Sequence, residues 1–427
     1  MTNSRIANIA RDRRSGAQLG ITSVCTAHPL VIEAALLQGQ HEDTDVLIEA
    51  TCNQVNQEGG YTGMTPADFR RFVGEIAARV GFDTNRLILG GDHLGPNPWK
   101  HLPPEEAMSR AAAMVNAYAK AGFTKFHLDT SMGCAGENIA LTDEMTAERA
   151  AHLAKIADAA TDEAGTSPVY VIGTEVPVPG GALESINHLE VTSAEAALKT
   201  VDVHRQAFAA AGVSHVFERV VGVVVQPGVE FGNANVVGYD REKARSLSAA
   251  LSDMPQFIFE AHSTDYQSAD ALRALVEDGF AILKVGPWLT FALREALYGL
   301  DHIAQVLDPT FAEHGLIAAI ERLMLSKPDH WQKYYHGNAS ELRLQRHFSY
   351  SDRIRYYWPH AEAEAAVNRL LTMLDGRSIP ETLVSQYLGA LYPAVLRGQA
   401  APDARSLQLA AVRRVLGLYA RACRPTD

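Results

Sequence analysis

The stretch Arg86-Leu-Ile-Leu-Gly-Gly-Asp-His-Leu-Gly-Pro-Asn97 decides how this chain of 427 residues folds. Its first half is a short apolar run of the kind a strand buried on both faces requires. Its second half stops that strand on an acid and a histidine, followed at once by Leu-Gly-Pro. An apolar strand that ends in ionisable side chains is how a barrel enzyme presents its active site. The same form recurs outward from this stretch. Gly20–Cys25 and Asp45–Asn53 precede it; Lys125–Ser131, Pro168–Val176, Val216–Gln226, Gln256–His262 and Phe280–Gly286 follow. Between the runs lie Ala-rich amphipathic stretches such as Pro66–Val80, Pro104–Ala121, Thr146–Thr161, Ser193–Ala211, Arg241–Ser252 and Ser268–Glu277. Gly81, Gly122, Gly212 and Gly279 each follow one of them, where a helix C-terminus favours a residue that tolerates positive φ. Repeated strand-then-helix order means an α/β protein with a parallel sheet. Eight such units before residue 290 predict a closed (β/α)8 TIM barrel rather than an open doubly wound sheet.

Past residue 290 the pattern turns helical: Phe291–Leu307, Glu313–Ser326, Ala361–Leu374, Pro380–Leu396 and Asp403–Ala422, with an aromatic, basic stretch at His330–His360. No flexible linker intervenes. The expected organisation is a barrel over residues 1–290 and a helical C-terminal extension over 291–427 packed upon it. The composition, 47% hydrophobic and 21% charged, is that of a globular protein. A net charge of −12 argues against sequence-independent nucleic-acid binding, which needs a basic face, but leaves room for a local positive pocket. Cys25, Cys52, Cys134 and Cys423 form no C-x-x-C pair and read as reduced thiols of a cytoplasmic protein. No apolar run follows the N-terminal arginines, so no secretory signal is expected, and no stretch is long enough to predict a membrane span.

The ends of the runs carry the chemistry. Ser23 and His28 end the first, Glu49 and Asn53 the second, Asp92 and His93 the third. His127, Asp129 and Ser131 fall at the fourth, Glu175 at the fifth, Gln226 at the sixth, Glu260 and His262 at the seventh, Lys284 at the eighth. Residues two apart on a strand share a face, so His127 pairs with Asp129, and His262 with Glu260, which sits a layer deeper as its support. His93, His127, His262 and Glu175 make a candidate set for a divalent metal, zinc or similar. A metal-free acid–base site is the alternative, with Asp92, Asp129 and Glu175 as the catalytic carboxylates. Ser23, Asn53 and Gln226 are candidate substrate contacts. Ser263, Thr264 and Lys284 fall where barrels often hold phosphate. Arg353, with Arg355, is a candidate clamp over the mouth or else a surface residue. Pro179-Gly-Gly-Ala182 reads as a mobile loop or an ordinary turn. Neither a phosphate loop nor a dinucleotide fingerprint is present.

Gly90–Asn97, Phe126-His-Leu-Asp-Thr-Ser131, Val223-Val-Val-Gln-Pro-Gly-Val-Glu-Phe231 and Glu260-Ala-His-Ser-Thr-Asp265 together resemble the tagatose-bisphosphate aldolase accessory-subunit family, GatZ/KbaZ-like, over nearly the whole chain. The resemblance implies galactitol and tagatose catabolism, and it implies several functions. Members have been described as non-catalytic subunits of a class II tagatose-1,6-bisphosphate aldolase or as tagatose-6-phosphate kinases. Members that work without a partner are linked to 4-epimerisation of D-tagatose 6-phosphate to D-fructose 6-phosphate. The family is also similar to class II aldolases, which stabilise an enediolate with a divalent metal. Asp92-His93 matches their catalytic aspartate and metal histidine, Glu175 their glycine-rich loop glutamate, His262 their last metal histidine, and Lys284-Val-Gly-Pro their eighth strand. Gln226 replaces a metal histidine and Ser263-Thr-Asp265 a phosphate turn, which argues against ordinary aldolase activity. The expectation is a metal-dependent epimerase of a small phosphorylated sugar, a homo-oligomer working by retro-aldol and aldol steps. The alternative is an accessory subunit that partners a class II aldolase chain, or an aldolase itself.

Overall fold

The computed structural model describes residues 5–173 and 189–424. Eight strands close into one parallel barrel: β1 (Ile21–Cys25), β2 (Val46–Thr51), β3 (Leu87–Leu94), β4 (Lys125–Leu128), β5 (Val169–Ile172), β6 (Val220–Val225), β7 (Ile258–Ala261) and β8 (Phe280–Val285). The last returns to the first, with Ser23 opposite Lys284. Strands covered on both faces have no polar side to alternate with. Accordingly β6 is buried at every position, and the eight apolar runs of the sequence are these eight strands.

The differences lie at the ends. Val216 and Phe217 form a helical turn, Ser214–Phe217, instead of starting β6. They are buried by packing, Phe217 against Phe208 at 5.4 Å, rather than by strand pairing. The helix expected over Pro380–Leu396 breaks into Glu381–Tyr387 and Tyr392–Leu396, with Pro393 in the first turn of the second piece, where its missing N–H costs nothing. An unanticipated helix, Arg5–Arg14, closes the barrel floor: Ile6 and Ile9 pack beneath Ile21, Leu47, Ile88, Val169 and Ile258. Arg13 ties it down by donating to the carbonyls of Val276 (2.6 Å) and Glu277 (3.1 Å).

The helices after residue 290 share one continuous apolar core with the barrel helices, including Leu293, Leu297, Leu316, Leu370 and Val412. The helix Ala404–Ala422 packs against Pro29–Glu42, which follows β1, and against Ala269–Glu277 and Pro287–Leu307, which flank β8. It thus covers the seam where the barrel closes and stands in the place of an eighth barrel helix. Tyr419 fixes it there, donating to the Thr264 carbonyl at 2.8 Å. No described helix is long and apolar enough to cross a membrane.

Candidate active site

β3 places two adjacent residues in one site because its backbone turns there. Its pairing register with β4 shifts between Gly91 and Leu94, and His93 adopts φ 48°, a strained value for a residue with a side chain. Asp92 and His93 then both face the mouth. Two glycines of the deciding stretch are space requirements. A Cβ on Gly90 would lie 2.6 Å from Glu49 Oε1, and one on Gly95 would lie 1.7 Å from the Asp129 carbonyl oxygen.

Three histidines meet above the barrel. The ring centroids of His93, His127 and His262 are 4.8–5.2 Å apart. One ligand atom from each, with one from Asp92, lie within 4.8 Å of one another. His93 Nδ1 is 2.8 Å from Asp129 Oδ2, which turns Nε2 toward the cluster. His127 Nδ1 is 2.9 Å from Asp92 Oδ1 and its Nε2 is 3.1 Å from the Gly173 carbonyl. The His93 N–H donates to His127 Nδ1 at 3.2 Å, so the single proton of a neutral ring sits on Nε2, toward Gly173, and the Nδ1 lone pair faces the Asp92 carboxylate. A cation beside that lone pair would relieve the repulsion between the two electron-rich atoms, so the donor set fits a divalent metal. Burial, then the neighbouring Lys284, pushes the His262 imidazole well below its ordinary range, so it is neutral, the form that ligates metals.

Beneath the histidines lies a buried ladder of charge. Lys125 Nζ is 2.5 Å from Glu49 and 2.7 Å from Glu260, all three fully buried. Lys284 Nζ pairs with Asp92 and lies 3.1 Å from His262 Nε2, 3.5 Å from Glu260 and 3.8 Å from Glu49. Burial presses Asp92 toward neutrality, but His93, Lys284 and His127 outweigh it and hold the carboxyl well below the usual range. Glu260 behaves likewise, with burial opposed and overcome by Lys125, Lys284 and His262. Burial lowers Lys284, and the three carboxylates more than reverse it. As expected, Glu260 supports His262, at 3.0 Å.

Above this floor opens a cavity of about 760 Å³ between the strand ends and the helical extension. Of the residues expected from sequence, Asp92, His93, Asp129, His262, Asn53, Ser263 and Lys284 line it. His127 sits just below, in the histidine cluster. Ser23 is fully buried inside the barrel and away from the cavity. Gln226 Oε1 accepts the N–H groups of Gly228 and Val229 at 2.8 and 3.0 Å and does not line the cavity. Thr264 also stays out of it, spanning to the Lys284 carbonyl at 2.6 Å. Arg353 is buried in the extension, donating to the His330 carbonyl with its guanidinium 3.4 Å from the Tyr334 ring centre; Arg355 lines the cavity instead. Glu175 and the Pro179–Ala182 segment lie outside the described residues. Lys125 was missed, although it precedes His127 by two and so shares its inward face.

Glu230 lies close by, fully buried, accepting from the Phe231 N–H at 2.8 Å and from the Ser263 hydroxyl at 3.3 Å. Burial outweighs both bonds and pushes it up to about 7. Its folded value thus exceeds its unfolded one near 4.5, so the fold prefers the protonated form. Its stabilising effect is complete below about pH 4.5 and fades as pH rises through about 7. Glu230→Gln is therefore expected to gain thermal stability on the wild type as pH rises from about 5 to 8. Parallel melting curves of the two proteins across that range would refute this.

A closed (β/α)8 barrel whose strand ends bring three histidines and an aspartate to the floor of one cavity defines a barrel protein with a histidine–carboxylate centre. The chain belongs to the D-tagatose-1,6-bisphosphate aldolase subunit GatZ/KbaZ-like family, whose model matches residues 6–424. It is 56% identical over 415 residues, 97% of each chain, to the D-tagatose 6-phosphate 4-epimerase of Agrobacterium fabrum. The crystal structure of a probable tagatose 6 phosphate kinase from Sinorhizobium meliloti 1021 is 62% identical with a TM-score of 0.89, covering 95% of this chain and 100% of that one.

Proposed function

We propose that this chain is a metal-dependent 4-epimerase that interconverts D-tagatose 6-phosphate and D-fructose 6-phosphate, with a place in galactitol and tagatose catabolism. The observation that carries this reading is the meeting of Asp92, His93, His127 and His262 on the floor of a cavity roomy enough for a phosphorylated hexose. The epimerase name of the 56% identical relative supports it.

C4 of a 2-ketose is not adjacent to the carbonyl, so removing an α-proton cannot invert it. Breaking the C3–C4 bond frees an aldehyde carbon; turning that aldehyde over before the bond reforms inverts the centre. His93, His127 and His262 would hold the cation, which when bound supplies positive charge for the enediolate left on C2 and C3. Asp92, already ionised, accepts the C4 hydroxyl proton and returns it after the bond reforms. Asp129 is a positioning residue: Oδ2 meets His93, and Oδ1 accepts from the Ser131 hydroxyl at 2.8 Å and its N–H at 3.3 Å. Glu175 remains a candidate second proton carrier. Contacts of the cavity wall to the phosphate would hold the aldehyde fragment beside its partner.

The family's description as an aldolase subunit favours a second reading, a chain that stabilises a class II aldolase and turns nothing over. The purified chain alone, given D-tagatose 6-phosphate with added divalent metal, is expected to yield fructose 6-phosphate and to stop after chelation. No product under conditions where an aldolase chain gains stability from this one would replace the epimerase reading with the subunit reading.

A further inference from the structure

A phosphorylated substrate needs a fixed positive charge away from the bond being broken. Among the described residues lining the cavity, two carry a permanent one, Lys284 and Arg355. Lys284, expected from sequence to meet phosphate, is committed: it pairs with Asp92 and has Glu260 and Glu49 within 3.8 Å. Arg355 is the opposite case. Its Nη1 donates to the carbonyls of Ser351 and Asp352, at 3.2 Å to the latter, and Nη2 donates to the Tyr356 hydroxyl at 2.9 Å. No carboxylate within ion-pair distance balances it among the described residues. The Nε proton and the second Nη2 proton also have no acceptor there. A planar guanidinium fork with unused donors suits the oxygens of a phosphate.

The segment that presents Arg355 is rigid. Asp352, at φ 42°, is held by Arg294 at 3.0 Å and by the Thr290 hydroxyl at 2.7 Å. The turn Arg353–Tyr356 follows, with three residues per turn, so side chains two apart diverge. Arg353 goes down onto Tyr334 while Arg355 faces the cavity. Tyr61, from the loop after β2, meets Tyr356 edge-on at 5.1 Å and lines the same wall. Two further carboxylates line the cavity, Glu364 and Asp265. Asp265 spends its Oδ1 on the N–H groups of Gly286 and Trp288, at 3.1 and 2.8 Å.

We propose that Arg355 anchors the substrate's phosphate and selects phosphorylated over free ketoses. The identity of the sugar rests on the epimerase reading; the binding of a phosphoryl group does not. The test uses the full chain and its Arg355→Met and Arg355→Lys variants. Inorganic phosphate is expected to raise the melting temperature of the wild type above that in chloride at equal ionic strength. The shift should vanish in Arg355→Met and survive in part in Arg355→Lys. In turnover, the preference for D-tagatose 6-phosphate over D-tagatose should fall about 100-fold in Arg355→Met, mostly through KM. Equal phosphate shifts in wild type and Arg355→Met, no shift in the wild type, or equal losses on both sugars would each overturn the proposal. A wild type that binds phosphate through Arg355 yet converts no tagatose 6-phosphate would sink the epimerase reading and leave the anchor standing.

Discussion

Lys125→Met is expected to lose roughly 3–5 kcal/mol of stability, the cost of breaking a buried ion pair by removing one partner. Methionine matches the lysine stem in length and fills the same space, so packing is little changed and charge is what is lost. The substitution leaves Glu49 and Glu260, both fully buried, without the ammonium that lies 2.5 and 2.7 Å from them. Lys284 compensates them only in part, at 3.5 Å from Glu260 and 3.8 Å from Glu49, because it is shared with Asp92. A typical domain is stable by about 5–15 kcal/mol, so a loss of this size shows in both melting temperature and soluble yield. The triple variant with Glu49→Gln and Glu260→Gln should recover part of the loss, since replacing a whole buried charged set costs far less than breaking one. A loss under about 1 kcal/mol in denaturant titration would show that the ammonium compensates nothing.

The second large effect is on chemistry. His93→Ala and His262→Ala are each expected to lower conversion of D-tagatose 6-phosphate by about a thousandfold or more, the scale of several kcal/mol of charge stabilisation. The wild type is expected to retain a divalent metal on dialysis, and both variants to lose it. His93 is only partly buried, so its variant should fold; His262 is buried against Glu260 and Lys284, so its variant is read beside a melting curve. Metal content is measured by elemental analysis beside the rate. Unchanged metal in both variants would remove the cluster from the reaction, and full wild-type activity after chelation would remove the metal.

The barrel was legible because strands covered on both faces cannot hide: each is an apolar run closed by turn residues and separated by helical periodicity. The histidine site was legible for a related reason. Strand-end position and a two-residue spacing fix which way His127 and His262 point, and the structure brings both to His93. What the sequence concealed depends on partners distant along the chain. Lys125 reads as a strand's opening residue until Glu49 and Glu260 are seen on either side of it. Arg353 and Arg355 are indistinguishable as letters, and only the pitch of a tight turn sends one into packing and the other to the cavity. Ala404–Ala422 reads as the end of an appendage, because nothing local says that it packs beside the helix following β1.

That last helix also sets a timetable. A ribosome delivers β1 long before Ala404–Ala422, yet the two meet at one seam. Until the late helix emerges, Pro29–Glu42 and Ala269–Glu277 keep an apolar flank bare, and the nascent barrel stays unsealed. The barrel therefore cannot be sealed before that helix has been made. A truncation before Ala404 would yield a product fit for chaperones and proteases, however intact its strand ends.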